Sequence, residues 1–307
     1  MLNRRILRTK VFKAVYSIAE NPSVPVRESV ESLRKSCEST RDLYVFLLDL
    51  TIQLRDQAYN YIEAARSKFN PTEEERNPNM KFVENLISVK MQESPDFGKI
   101  LSKRHLDCWD RYDIFLRHLL DSLLQEQFFK DYMSEPSADL KADAQLFRNI
   151  YETLLEDNEE LVPILEELSI WWNDDLGYAL TWCCKTMDYL GKGSDWGLPP
   201  LYASQLPGNE AMSSDEDFVL GVLRTAHRNF EKYTDSIAAL TPKWDRSRIC
   251  TTDLALIVSG QAEADAFPQT PRKVIINEYV EIAKFYSTPD SRAFVNGLLD
   301  KLINNKD

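Results

Sequence analysis

The sequence predicts an all-α protein, on three observations. Apolar residues recur at threes and fours through nearly every long segment, which is the spacing of a helix with one buried face. Only nine glycines occur in 307 residues, too few for a turn-rich β architecture. No segment gives a strong strand signal.

The elements follow in order. Leu2 to Glu20 reads as a helix: Leu7, Val11, Ala14, Val15 and Ile18 share one stripe, and Asn21-Pro22 ends it. Arg4 and Arg8 line one edge of the stripe, and Lys10 and Lys13 flank the other. Such a helix can dock by its apolar side and present its cations outward. Val26–Cys37 is a second predicted helix, and Thr40–Phe69 a long third one carrying Leu43, Leu47, Leu50, Leu54 and Tyr61. Asn70-Pro71 through Asn77-Pro78-Asn79 is a charged, proline-marked break. Helical patterns resume at Lys81–Met91, Asp107–Met133, Ser137–Leu155 and Glu159–Ser169. Another runs from Trp171 to Leu190, with Asp174 and Asp175 near its positive end. Gly191 to Ser214 is the clearest loop, and Trp196, Leu198, Leu201 and Tyr202 predict that it is pinned to the body. Asp215–Leu240 is predicted as one amphipathic helix, Thr241-Pro242 opens the next segment, and Asp253–Ala264 is a further helix.

The last forty residues carry two blocks, Asn277–Lys284 and Phe294–Lys301. In the first, Val280, Ala283 and Lys284 fall at helical spacing, with Glu278 and Glu281 predicted to face solvent. In the second, Phe294, Leu298 and Ile303 lie on one side of a helix, and Gly297 is predicted to allow close backbone approach. Ser287-Thr288-Pro289-Asp290-Ser291 between them reads as a turn that supplies capping oxygens.

Composition narrows the function classes. Hydrophobic residues at 43% and charged residues at 28% are ordinary for a globular protein. No apolar run approaches the length of a membrane span, and the amino terminus lacks a signal-peptide core, so a cytoplasmic location without membrane contact is expected. Five cysteines without a Cys-x-x-Cys pair argue against a disulfide framework, and Cys183 and Cys184 in an apolar stretch read as buried thiols. His105, His118 and His227 are scattered, so no metal site is expected. The acidic pairs Asp174/Asp175 and Glu159/Glu160 have no accompanying histidine, and no phosphate-cradling glycine motif is present. Neither a catalytic residue nor a cofactor is expected, and the chain does not read as an enzyme.

The net charge is −12, yet it is unevenly spread. Residues 1–19 hold Arg4, Arg5, Arg8, Lys10 and Lys13 and no acid, whereas residues 21–267 hold 26 basic and 43 acidic side chains. A basic arm on an acidic body points to a localised anion-binding face. Arginine can grip phosphate bidentately and stack on an unpaired base, which suits single-stranded RNA.

Asn277-Glu278-x-x-Glu281-x-Ala283-Lys284 followed by Phe294-Val295-Asn296-Gly297-x-Leu299-Asp300 resembles the carboxyl-terminal signature of the transcription-antitermination NusB family. Arg4-Arg5-x-x-Arg8 and Ala14-Val15-Tyr16 resemble that family's first helix, with Val15, Thr9 and Lys13 in place of its usual Leu, Glu and Gln. The resemblance covers residues 1–20 and 215–307. It implies a NusB-like helical bundle of two small subdomains, here a core of 1–20 plus 215–307 with a large acidic helical insertion at 21–214. It further implies RNA binding by Arg4, Arg5, Arg8, Lys10, Lys13, Phe294 and Asn296, with Phe294 stacking on a base. The implied partners are ribosomal protein NusE, boxA-type RNA of nascent ribosomal transcripts, RNA polymerase and other Nus factors. An arginine usual in the family is missing from Asp253–Ala264. The alternative is a helical protein-interaction adaptor of the same fold without RNA affinity.

Overall fold

The computed structural model describes residues 1–135, 139–205, 214–241 and 249–304. Among these the chain is helical: α1 Arg4–Glu20, α2 Val26–Arg66, α3 Glu73–Arg76, α4 Leu86–Gln92, α5 Pro95–Arg104, α6 Asp113–Gln125, α7 Gln127–Ser134, α8 Leu140–Ile150, α9 Leu161–Leu168, α10 Leu176–Leu190, α11 Asp215–Arg228, α12 Phe230–Leu240, α13 Thr251–Ala266, α14 Arg272–Tyr286 and α15 Ser291–Asn304. The one β feature among the described residues is an isolated parallel bridge, Leu2 with Tyr202. No helix among them is long and apolar enough to cross a membrane.

Several helices differ from the sequence prediction, each for a local reason. Val26–Cys37 and Thr40–Phe69 are one helix, α2, because the polar stretch that reads as a break is satisfied from outside the helix. Thr40 Oγ1 donates to Asp175 at 2.5 Å, and the carbonyl of Ser39 accepts from Trp172 Nε1 at 2.9 Å. Asp175 therefore sits before α10 rather than inside it. The predicted Asp215–Leu240 helix is two, α11 and α12, since Asn229 leaves helical geometry and its side-chain amide donates to the carbonyl of Thr225 at 3.1 Å. Asp107–Met133 breaks at Glu126, whose backbone is extended. The helix predicted from Lys81 begins at Leu86, where Asn85 caps the amides of Ile87 and Ser88. Two helices lie outside the apolar periodicity and are set by their caps. Thr72 and Glu75 form a capping box for α3, and Ser94 caps α5, with Pro95 in its first turn and His105 left-handed at its end. Ser137, Gly208 and Pro242, which figure in the predicted segments, lie outside the described residues.

The chain divides into two compact units, Met1–Glu38 with Pro200–Asp307, and Ser39–Pro199. Helix α2 contributes its residues through Glu38 to the first and the remainder to the second. In the second unit, Trp109 stacks between Phe46 and Phe115, with ring centroids 4.2 and 5.7 Å away, and its Nε1 donates to the carbonyl of Phe46 at 3.0 Å. Partnering the indole nitrogen is what makes its burial tolerable.

The first unit is built around α13. Residues Ala255 to Glu263 are buried without interruption, the mark of a helix covered on all sides. Helices α1, α11, α14 and α15 all pack against it. Leu7, Val11, Val15 and Ile18 of α1 are buried, as the stripe predicts. The close backbone approach lies at Gly260, not at Gly297. A Cβ on Gly260 would meet Leu299 Cδ2 at 2.6 Å, whereas one on Gly297 would meet nothing within 4 Å.

Candidate nucleic-acid interface

Helix α1 starts where Asn3 Oδ1 accepts from the amides of Arg5 and Ile6, at 3.1 and 3.2 Å. From that start, the helical repeat distributes the five cations over different surroundings. Because α1 lies against α11, α13 and α14, only part of its circumference can face outward.

Arg8 and Lys10 are buried, contrary to the outward placement that the sequence suggests for all five. Arg8 donates to Glu263 through Nε at 2.8 Å and Nη2 at 2.6 Å, and Nη1 lies 3.6 Å from Glu278. Burial works against the Arg8 charge, but the bonds and field of Glu263 outweigh it and shift its pKa upward. The hydroxyl of Tyr279 is buried beside this pair. Desolvation, then the charge of Glu263, push its ionisation far above the ordinary tyrosine range.

Arg4 is half-buried, with Nε 3.4 Å from Asp215 Oδ1 and its guanidinium 4.8 Å from the centre of the Phe218 ring. The same ring receives Arg8 at 5.3 Å, so one aromatic carries two guanidinium groups. Asp215 is held in turn by Ser204, whose amide donates to Oδ2 at 2.8 Å.

Arg5 is the exposed arginine, its side chain 65% accessible, with Nε and Nη2 each 3.4 Å from Glu278. Glu278 therefore does not simply face solvent, as its place in the sequence suggests; it is half-buried and faces both Arg5 and Arg8. Lys13 is half-buried and places Nζ 5.4 Å from the centre of the Tyr286 ring, which also meets Phe12 at 5.3 Å.

At the other end of the site, Asp253 accepts from Ser287 Oγ at 2.6 Å and Ser291 Oγ at 2.8 Å, fixing the turn between α14 and α15. Phe294 is half-buried and Asn296 is exposed on α15. The arrangement offers cations, aromatic faces and an amide. No cluster of three or more His, Cys, Asp or Glu suited to a metal ion occurs among the described residues. The carboxylates Glu263, Asp215 and Asp253 were not identified by sequence reasoning. Asp253 and Glu263 flank the uncharged run 254–262, and an acid bordering so apolar a helix is the signal that could have found them.

Among known proteins, the model of the NusB family matches residues 201–304. The transcription antitermination protein NusB of Clostridium acetobutylicum is 32% identical over 99 residues, covering 32% of this chain and 73% of the relative. Its namesake from Acetivibrio thermocellus is 34% identical over 93 residues, 30% of this chain and 64% of the relative. The one from Koribacter versatilis is 32% identical over 90 residues, 29% and 62% respectively. The chain thus spans less than two thirds of the length of the last two. No solved structure gives a significant match.

Proposed function

The chain belongs to the NusB family, and from that premise we propose that it is a transcription antitermination factor that binds single-stranded RNA through its first unit. The partners in this reading are boxA-type RNA and ribosomal protein NusE, and the pair acts on elongating RNA polymerase together with other Nus factors. Nothing is catalysed. The protein contributes an oriented surface: Arg5 and Lys13 of α1 neutralise phosphates, Asn296 offers an amide to a base edge, and Phe294 offers part of its ring for stacking. Arg4, Arg8 and Lys10 act from within by setting the position of α1.

The observation that carries the reading is the packing of α1 against α13 and α14, which joins the basic arm to the segment that the family model matches. Filter binding with boxA and scrambled RNA, with and without NusE, tests it. Tighter binding of boxA, strengthened by NusE, is the expected result; equal, negligible binding of both RNAs overturns it.

A second reading, a protein-interaction adaptor, is favoured by one observation. Residues 39–199 carry 17 basic and 30 acidic side chains, so the second unit repels phosphate. In that reading the filter-binding result is negative while NusE is still captured.

A further inference from the structure

We infer that Phe285, on α14, is a stacking platform for an unpaired base of single-stranded RNA, flanked by Arg5, Lys284 and Arg292. The inference rests on the RNA-binding reading above and deepens it, adding an aromatic that neither the sequence pattern nor the relatives' names assign.

Phe285 is 83% exposed. A lone exposed aromatic is common and needs no explanation; its surroundings distinguish this one. One helical turn earlier on the same face is Glu281, which pairs with Lys284 and feels the charges of two arginines. Lys284 donates to it directly. That bond holds the Glu281 carboxyl below its ordinary range, and the charges of Arg5 and Arg292 act in the same direction. Arg5 reaches the site from α1 through Glu278, three residues before Glu281. Helix α1 runs alongside α14 in the same sense: Arg5 meets Glu278, and eight residues later Lys13 lies over Tyr286. Cations from its own helix, from α1 and from the start of α15 therefore act on Glu278 and Glu281, two turns and one turn before Phe285 on the same face of α14.

Two carboxylates, Glu278 and Glu281, offset part of that charge, so few phosphates can be neutralised here. A surface weak in phosphate binding must draw its affinity from the base itself, and an open aromatic face provides it regardless of sequence. Phe69 is the internal contrast. It is fully exposed, but its neighbours are the Lys68–Glu75 ion pair and the acidic first turn of α3, which repel a polyanion.

The test uses the full chain with a fluorescently labelled single-stranded boxA RNA and the same sequence as a duplex, titrated by polarisation, for wild type, Phe285→Ala, Phe285→Trp and Phe69→Ala. Expected is a loss of roughly 5- to 150-fold in single-strand affinity for Phe285→Ala. Phe285→Trp should bind as wild type or better, Phe69→Ala as wild type, and duplex binding should be indifferent to position 285. Melting temperatures should be alike, since the ring is outside the core. Wild-type affinity in Phe285→Ala, beside a wild type that binds, overturns the stacking inference and leaves the RNA-binding reading standing. A wild type that binds no RNA, with or without NusE, overturns that reading and the inference with it. Loss of NusE capture by Phe285→Ala at unchanged RNA affinity overturns the inference in favour of a protein-binding role.

Discussion

Arg8 and Glu263 form a bidentate ion pair inside the first unit, with side-chain exposures of 6% and 0%. The pair ties α1 to the central helix α13, so an arginine of the basic arm works as an internal fastening.

Removing one partner strands the other's charge in the core. Arg8→Ala and Glu263→Ala are each expected to cost about 3–5 kcal/mol of stability, while Arg8→Met with Glu263→Leu should recover most of it. Urea denaturation of the two single variants and the double one checks this. Equal losses that add in the double variant would refute the coupling.

Arg5 and Lys13 give the cleaner probe of RNA binding, since Arg5 is exposed and both lie outside the buried pair. Arg5→Ala with Lys13→Ala should leave stability within about 1 kcal/mol and weaken binding of boxA RNA. The dependence of log affinity on log salt should become shallower by about 0.7 for each phosphate no longer neutralised. An unchanged salt slope would remove both residues from the interface.

Gly260 and Gly297 of the first unit should respond differently to the same substitution. Gly297→Ala places a methyl in open space on a helix and is expected to stabilise by about 0.5–1 kcal/mol. Gly260→Ala drives a methyl into Leu299, and overpacking of about 1–3 kcal/mol should offset or exceed the same helical gain. Thermal unfolding of the pair measures the difference. A Gly260→Ala variant as stable as Gly297→Ala would show that Leu299 moves aside freely.

Asp49, buried in the second unit, has its pKa pushed up to about 7, first by burial and then by the charges of Asp107 and Asp56, with the amide of Gln53 opposing. Its folded pKa exceeds its unfolded one, so the native state holds the extra proton. The stability it confers is complete below about pH 4 and is lost as pH rises through 7. Asp49→Asn should remove that slope, gaining on the order of 3–4 kcal/mol relative to wild type between pH 4 and 8. Chemical denaturation across that range reads it; a constant difference between the two proteins would contradict the shift.

How far the sequence carried the description depends on the distance over which each feature is decided. Helical class, the α1 stripe and the stop at Asn21-Pro22 are local matters of periodicity and backbone chemistry, and they were legible. The cap of α5 was local as well: Ser94-Pro95 announces a helix start that the apolar pattern alone does not. The continuity of α2 was not legible, because Thr40 depends on Asp175, 135 positions away. The same holds for the basic arm. Spacing on α1 reveals five cations, but which of them face outward is settled by Glu263, Glu278 and Asp215, all beyond residue 214. Gly297 stands out in the sequence because of the motif around it, yet packing crowds Gly260 instead, where Leu299 from another helix comes close.

The bridge between Leu2 and Tyr202 has a consequence for biosynthesis. The amide of Leu2 donates to the carbonyl of Leu201 and its carbonyl accepts from Ala203, both at 2.7 Å, so this segment is completed by one made 200 positions later. At roughly 5–20 residues per second, a ribosome leaves α1 waiting on the order of 10–40 s for its partners. Throughout that interval Leu7, Val11, Val15 and Ile18 have no α13 to cover them, while residues 39–199 are being made and form contacts within their own unit. A nascent chain stalled before residue 200 would therefore display a basic helix with a bare apolar side, a form suited to capture by chaperones and prone to stick to its own kind.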